Sequence, residues 1–348
     1  MSDWSYLSKL IYKKEFDNLG LKVYFDDGAN VTLIEDNDGS VYRPGEELWE
    51  WAKLKARSAA FTLSSLIHIV DYHFNWGNIP GMALRKYLQP RHPVRMALTP
   101  HFFRTHQTCL QAKSLLVARR GPLHRVLSFE YVGGLEKVYK DLMINFVFKT
   151  WPDELEEMGM QDDEYHVGAT DGIGLHKVMM AYVSNLFNEI YQTAESLEAD
   201  DDIQRMYAYL TEKMGGPAEF SMDNLKMIWG EVLFRVTGVH QSIGNAAAYV
   251  LDPFMINFRL DKTDKGKVYG NLETLEIGAF ITGLTIPEEY PKLTSNWTKV
   301  MHDPESKSYA QMKADLNELS KEIEERNEVR RFRNVDFYPD NAALSIFG

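Results

Sequence analysis

Two histidines stand five residues apart in His68-Ile-Val-Asp-Tyr-His73, inside an apolar helical run. A third, His240, begins His240-Gln-Ser-Ile-Gly-Asn245, and the sequence closes on Leu344-Ser-Ile-Phe-Gly348. Three neutral imidazoles, the Asn245 amide oxygen and the Gly348 main-chain carboxylate make a mixed nitrogen and oxygen donor set of the kind that suits iron. On an ideal α-helix, residues five apart point about 140° from each other, so His68 and His73 can share one metal only across a widened π-type turn. Of the remaining histidines, His92 precedes a proline and His101 follows one, and these two with His106, His124, His166, His176 and His302 read as structural. No Ser/His/Asp, Cys/His, phosphate-loop or Cys-x-x-Cys signature competes with the metal reading.

The elements that must carry these residues are mostly helical. A helix opening at Pro44-Gly-Glu-Glu, with acidic residues in its first turn, leads through Leu48, Trp51, Ala52, Ala59, Leu63, Leu66 and Val70 to the paired histidines. Leu225, Ile228, Trp229, Val232, Leu233 and Val236 form an apolar face that leads into His240. Further helices are expected near 79–89, 103–118, 134–149, 171–195, 201–214, 221–250, 273–282 and 305–331. Residues 1–42 read as a lead-in: Leu21–Phe25 and Val31–Ile34 alternate as strands, with turns at Asp26-Asp-Gly and Asp36-Asn-Asp-Gly.

Composition limits the partners. A net charge of −12 in 348 residues disfavours nucleic acid and anionic membrane as partners. The single cysteine, Cys109, excludes an internal disulfide and fits a reducing compartment. No stretch reaches the apolar length needed to span a bilayer and the N-terminus lacks a signal-peptide core, so stable membrane insertion is not expected and a cytoplasmic protein is. The oligomeric state is not readable.

Trp51-Ala-Lys53 with Arg57-Ser58, then Leu88-Gln-Pro-Arg-His92-Pro93, then Leu98-Thr-Pro-His-Phe102 succeed one another in the order and spacing of the catalytic domain of lipoxygenases, which this chain resembles. Phe148 with Trp151-Pro-Asp-Glu-Leu155 and Gly159, Asp171-Gly-Ile-Gly-Leu175 with Asp201-Asp-Ile-Gln204, and Leu316-Asn-Glu-Leu319 with Arg326-Asn327 and Tyr338-Pro339 extend the resemblance over residues 40–348. Because the resemblance begins near the N-terminus, the separate β-sandwich that precedes many members is not expected here. The resemblance implies a mainly α fold: a single large lipoxygenase-like helical catalytic domain over 43–348 behind the short β lead-in of 1–42. It also implies non-haem iron, with manganese as the alternative, held by His68, His73, His240, Asn245 and Gly348. The implied reaction is hydrogen abstraction from a polyunsaturated fatty acid, or a related apolar small molecule, and then addition of O2, the metal serving as base and oxidant together.

The register of the pair has two solutions. Counting without gaps from Ala52-Lys53, or backward from His92-Pro93, puts the family's paired-ligand positions on Ser64 and Ile69. Using His68 and His73 instead inserts four residues before the pair and removes four after it, a slide of about 6 Å along the helix. In the family's His-x-x-x-Asn motif the fifth place falls on Gly244, with the amide one residue later at Asn245, and Gly348 replaces a terminal Ile or Val, leaving Ile346 and Phe347 to anchor the tail. These departures allow two further readings: an iron-dependent oxidase of a non-fatty-acid metabolite, and a metal-free lipoxygenase-like binding protein. Lys113 and Arg85 lie where a substrate channel is expected.

Overall fold

Alternating Leu21–Phe25 (β2) pairs antiparallel with Val31–Asp36 (β3), as the sequence predicts, and Ser2–Asp3 (β1) and Val41–Tyr42 (β4) flank them in a sheet ordered β1-β2-β3-β4. The computed structural model describes residues 1–161, 163–244, 257–267, 291–297, 305–331 and 333–346, with 272, 301 and 303. Asp26 Oδ1 closes the β2–β3 turn by accepting from the backbone N–H of Gly28 and Asn30. Val23 opposes Ile34, and this pair buries itself with Leu21 and Tyr42 against Trp49, Ala52 and Ala56 of the first helix. Within that contact Lys55 is buried and reaches Asp36 at 2.6 Å and Asp17 at 3.3 Å, so its charge is paired where water is excluded.

The first helix does not begin at Pro44. Gly45 has φ 87°, a left-handed turn conformation incompatible with a right-handed helix, and α1 runs Trp49–Ile67. Next come α2 (Ile79–Tyr87), α3 (Pro93–Leu98), α4 (Thr105–Gln111), α5 (Pro122–Val126) and α6 (Glu136–Ile144). Beyond these lie α7 (Trp151–Glu157), α8 (Ile173–Ile190), α9 (Ala194–Glu198), α10 (Asp201–Met214), α11 (Met222–Phe234), α12 (His240–Gly244) and α13 (Lys307–Val329). The helix expected at 273–282 and the last part of that expected at 221–250 lie outside the described residues.

The main core forms where α8 packs between α11 and α13. Met179, Tyr182, Val183 and Phe187 of α8 meet Trp229, Val232 and Leu233 of α11 and Leu316, Leu319 and Ile323 of α13, all buried. A second core gathers Leu54, Leu66 and Phe74 with Cys109, Leu123 and Phe129. The helical rod that begins with α1 runs between the two. Asp171, fully buried, takes Arg326 at 2.7 Å and Arg330 at 2.7 and 3.1 Å, which ties α13 to the start of α8. No helix among the described residues is long and apolar enough to cross a membrane.

Candidate metal centre

The paired histidines sit where the rod changes its winding. Between α1 and α2 the chain is helical throughout, but His68–Asn78 is a π-helix of 11 residues. Pro80, in the first turn of α2, has no N–H to return to a carbonyl one turn earlier, and Gly77 imposes no side chain on the widened coil. With i→i+5 bonding, residues five apart come back to one face, which is what His68 and His73 require. The single π-type turn expected from the sequence is therefore present as a longer stretch. A second π turn, Arg235–Val239, immediately precedes His240 on the helix from α11 to α12.

The three Nε2 atoms converge. His68 to His240 is 2.8 Å, His68 to His73 is 3.2 Å and His73 to His240 is 3.3 Å. A first-row metal at about 2.0–2.1 Å from each nitrogen, with the ligands near right angles, separates them by about 3 Å, which is the size of this triangle. The rings of His73 and His240 are buried and that of His68 nearly so. Burial drives the pKa of His68 down to about 4 and holds His73 and His240 well below the usual value, their neighbouring imidazoles adding to the effect. Neutral imidazole is the form that ligates a metal. A triangle of neutral nitrogens holds only one linear N–H···N contact, which leaves one ring nitrogen buried without a partner at a cost of about 1–3 kcal/mol. A cation resolves that conflict, so the residues present fit the metal. Ser64 and Ile69 are not part of the cluster: Ser64 bonds the Phe61 carbonyl at 3.0 Å, and Ile69 packs in the second core.

Two expected oxygen donors, Asn245 and Gly348, lie outside the described residues. Gly244, just before Asn245, is placed, and so is the tail up to Ile346. A Cβ built on Gly244 would stand 3.2 Å from His68 Nε2, so the position four after His240 faces the triangle and carries no side chain. The tail is not frayed: Ala342 to Ile346 are buried, Leu344 N–H donates to Pro291 O at 2.8 Å, and Ser345 Oγ donates to Phe103 O at 2.9 Å. Ile346 then lies over Gly77, where an added Cβ would come within 2.8 Å of its Cδ1. The tail thus reaches the π-helix two residues before the sequence ends.

Sequence reasoning missed the charges behind the site. Arg235, nearly fully buried, lies between the rings of Trp76 and Trp151, its guanidinium carbon 5.0 Å from each centroid. It pairs with Glu154 at 2.6 Å and faces Glu231 across 3.6 Å. Burial alone would lower its pKa, but Tyr72, Glu154 and Glu231 raise it. Glu231, fully buried, in turn accepts from the Trp151 backbone N–H at 3.1 Å and bonds His176. Arg235 therefore bridges the π turn of His240 and the π-helix of His73. The available signal was Glu231 and Arg235 at i, i+4 inside an otherwise apolar helical face.

Several of the other histidines take protein partners, and His302 lies outside the described residues. His92 meets Asp200 at 2.9 Å, His101 meets the Leu344 carbonyl at 3.2 Å, and His106 meets Asn78 at 2.7 Å. Cys109 is buried and donates to the His73 carbonyl at 2.9 Å, its thiol pKa pushed up to about 12 by that burial. Lys113 and Arg85 are both exposed. Two surface cavities, of about 330 and 240 Å³, lie away from the histidines, one beside Asn188 and Ser308 and the other beside Tyr165 and Arg330.

The domain is mainly helical and brings three histidines from two π-distorted helices to one point, and solved structures give this fold its name. A lipoxygenase crystallised with arachidonate superposes with a TM-score of 0.83 at 16% identity, over 98% of this chain and 58% of that one. A calcium-dependent 11R-lipoxygenase gives 0.81 at 18% identity, over 100% and 57%, and the manganese lipoxygenase of Gaeumannomyces graminis 0.80 at 14%, over 99% and 70%. The fold is the lipoxygenase catalytic domain. Among curated proteins, polyunsaturated fatty acid lipoxygenase ALOX15 of Rattus norvegicus is 27% identical over 176 residues, 49% of this chain and 26% of the relative. ALOX12 of Mus musculus is 23% identical over 307 residues, 80% of this chain and 46% of the relative. No family model matches. The chain is a lipoxygenase-like protein that spans between a quarter and a half of the length of these relatives.

Proposed function

We propose that this chain is the metal-bearing part of a non-haem iron dioxygenase acting on a polyunsaturated fatty acid or a related apolar substrate, with manganese as the alternative metal. The observation that carries the reading is the triangle of His68, His73 and His240 Nε2 atoms, 2.8–3.3 Å apart in a buried setting. When bound, such a metal supplies one-electron oxidising chemistry at the doubly allylic carbon, after which O2 adds to the substrate radical. The three imidazoles would hold it from one side, kept neutral by burial. Gly348 would add the carboxylate that offsets the metal charge, delivered by a tail already buried up to Ile346. Asn245 would be a further oxygen donor, one residue beyond the Gly244 position that faces His68. The apolar walls around the rod, among them Ile69 and Phe74, would exclude water from the radical.

Metal analysis of the purified chain tests the proposal. About one iron or manganese per chain is expected, falling strongly in His68→Ala, His73→Ala and His240→Ala while the helical circular dichroism signal persists. Full metal content in all three variants refutes the ligand set, and absence of metal in the native chain reconstituted with ferrous or manganous ion refutes the enzyme.

A further inference from the structure

The charge of this chain is unevenly placed. Between Asp71 and Glu130 it has nine Lys and Arg and no acidic residue, although the whole carries −12. Among the described residues none of these nine forms an ion pair with a carboxylate, while many of the lysines and arginines elsewhere do. Four of the nine, Arg104, Lys113, Arg119 and Arg120, lie in residues 103–120, which comprise α4, the π turn Ala112–Leu116 that extends it and the turns at either end. The inner face of this segment, Thr105, Cys109 and Ala112, is buried against the π-helix of the paired histidines. Its outer face exposes Phe103 (47%), Leu110 (68%) and Leu115 (60%) beside the exposed Arg104, Lys113, Arg119 and Arg120.

Single exposed apolar residues are ordinary, but three large ones interleaved with cations that form no ion pair, along a short helical segment and the turns that flank it, form an interfacial pattern. Free cations next to apolar side chains have their complement in anionic headgroups above an acyl layer, where each basic residue contributes about 1 kcal/mol of binding.

We propose that the outer face of residues 103–120 docks peripherally on the anionic surface of a phospholipid bilayer. Phe103, Leu110 and Leu115 enter the boundary between headgroups and acyl chains, and Arg104, Lys113, Arg119 and Arg120 meet the headgroup phosphates and carboxylates. The contact lies on the membrane and spans nothing. It does not depend on the metal, so the apo chain serves for the test.

Cosedimentation with vesicles of phosphatidylcholine alone, and of phosphatidylcholine with phosphatidylserine, measures it. Binding is expected to the phosphatidylserine vesicles only, and release at about 1 M salt, where screening shortens to about 3 Å. At about fivefold per cation, the triple variant K113Q/R119Q/R120Q weakens binding on the order of a hundredfold. Leu110→Ser with Leu115→Ser weakens it at unchanged charge, and Lys321→Gln on α13 leaves it unchanged. These side chains are exposed, and circular dichroism checks that each variant folds. Failure to bind phosphatidylserine vesicles, binding that ignores salt, or binding equal in the triple variant overturns the proposal. So does a dimer in sedimentation velocity that the triple variant dissolves without any vesicle binding, since the face would then belong to a second copy.

Discussion

Replacing Arg235 with Met keeps the apolar stem that fills the space between Trp76 and Trp151 and removes only the charge. The cost depends on which carboxylate is stranded. Glu154, about one-third exposed, turns to water and loses little. Glu231 is fully buried and cannot; it keeps His176 and the Trp151 N–H, but its Oε2, which faces Arg235 across 3.6 Å, has no other partner among the described residues. Breaking a buried pair from one side costs about 3–5 kcal/mol. Because Glu231 retains two contacts, the lower end applies, and loss of the cation from two indole faces adds about 1 kcal/mol. Urea denaturation of the apo chain should therefore show R235M less stable by about 3–4 kcal/mol. The double variant R235M/E231Q should recover about 1–3 kcal/mol of this, since no charge is then stranded. Because Arg235 joins the two π segments that carry His73 and His240, R235M should also weaken binding of manganous ion about 10- to 100-fold, in the range of outer-shell changes at metal sites. A loss under about 1 kcal/mol, or a double variant no better than the single, would refute the view that Arg235 serves chiefly to neutralise Glu231.

Three further outcomes can be checked. Gly77→Val should displace the tail, since even its Cβ would meet Ile346 Cδ1 at 2.8 Å, the Tyr72 carbonyl at 3.0 Å and Thr105 Cγ2 at 3.1 Å; carboxypeptidase should then remove residues that it spares in the native chain, and metal content should fall. A tag fused after Gly348 should lower metal content sharply, because it replaces the proposed carboxylate with an amide, while an N-terminal tag leaves it unchanged; equal metal content in both rejects Gly348. Cys109 should resist alkylation at pH 8 in the folded chain and react once unfolded, since burial pushes its pKa up to about 12 and leaves almost no thiolate; rapid native labelling would contradict its bond to the His73 carbonyl.

Much of the scaffold was legible because long amphipathic helices repeat their signal. Helices expected at 201–214 and 305–331 appear as Asp201–Met214 and Lys307–Val329. Helices of five to seven residues such as α3, α5, α7 and α9 are too short to show a period, and the sequence does not predict them as separate elements. The expected start at Pro44 fails because proline and acidic residues suit a first helical turn, whereas the φ of Gly45 is fixed by the sheet-to-helix connection. His68, His73 and His240 stand out by type and spacing, and the need for a π turn comes from five-residue spacing alone. The choice between His68/His73 and Ser64/Ile69 was not legible, since it depends on which face of the rod meets α12. Arg235 and Glu231 escaped because a charge pair inside an apolar stripe reads as noise until Trp76 and Trp151 are seen to enclose it.

The 11-residue π-helix bears on how this site can change through descent. A residue inserted into an α-helix can be absorbed as a widened turn that leaves the flanking turns in register. Two histidines four apart on an ordinary helix already share a face, and one insertion between them yields the five-residue spacing found here. Such an insertion passes unnoticed by the cores around α1 and α2 and is felt only at the ligands. Deletion works in the opposite direction: losing one residue between positions 68 and 73 without rewinding turns everything beyond it by about 100°. The rod should therefore accept many side-chain replacements between its histidines while its length there drifts only by events that change the winding. Among descendants of this sequence, gaps in that stretch would mark gain or loss of the metal more faithfully than substitutions.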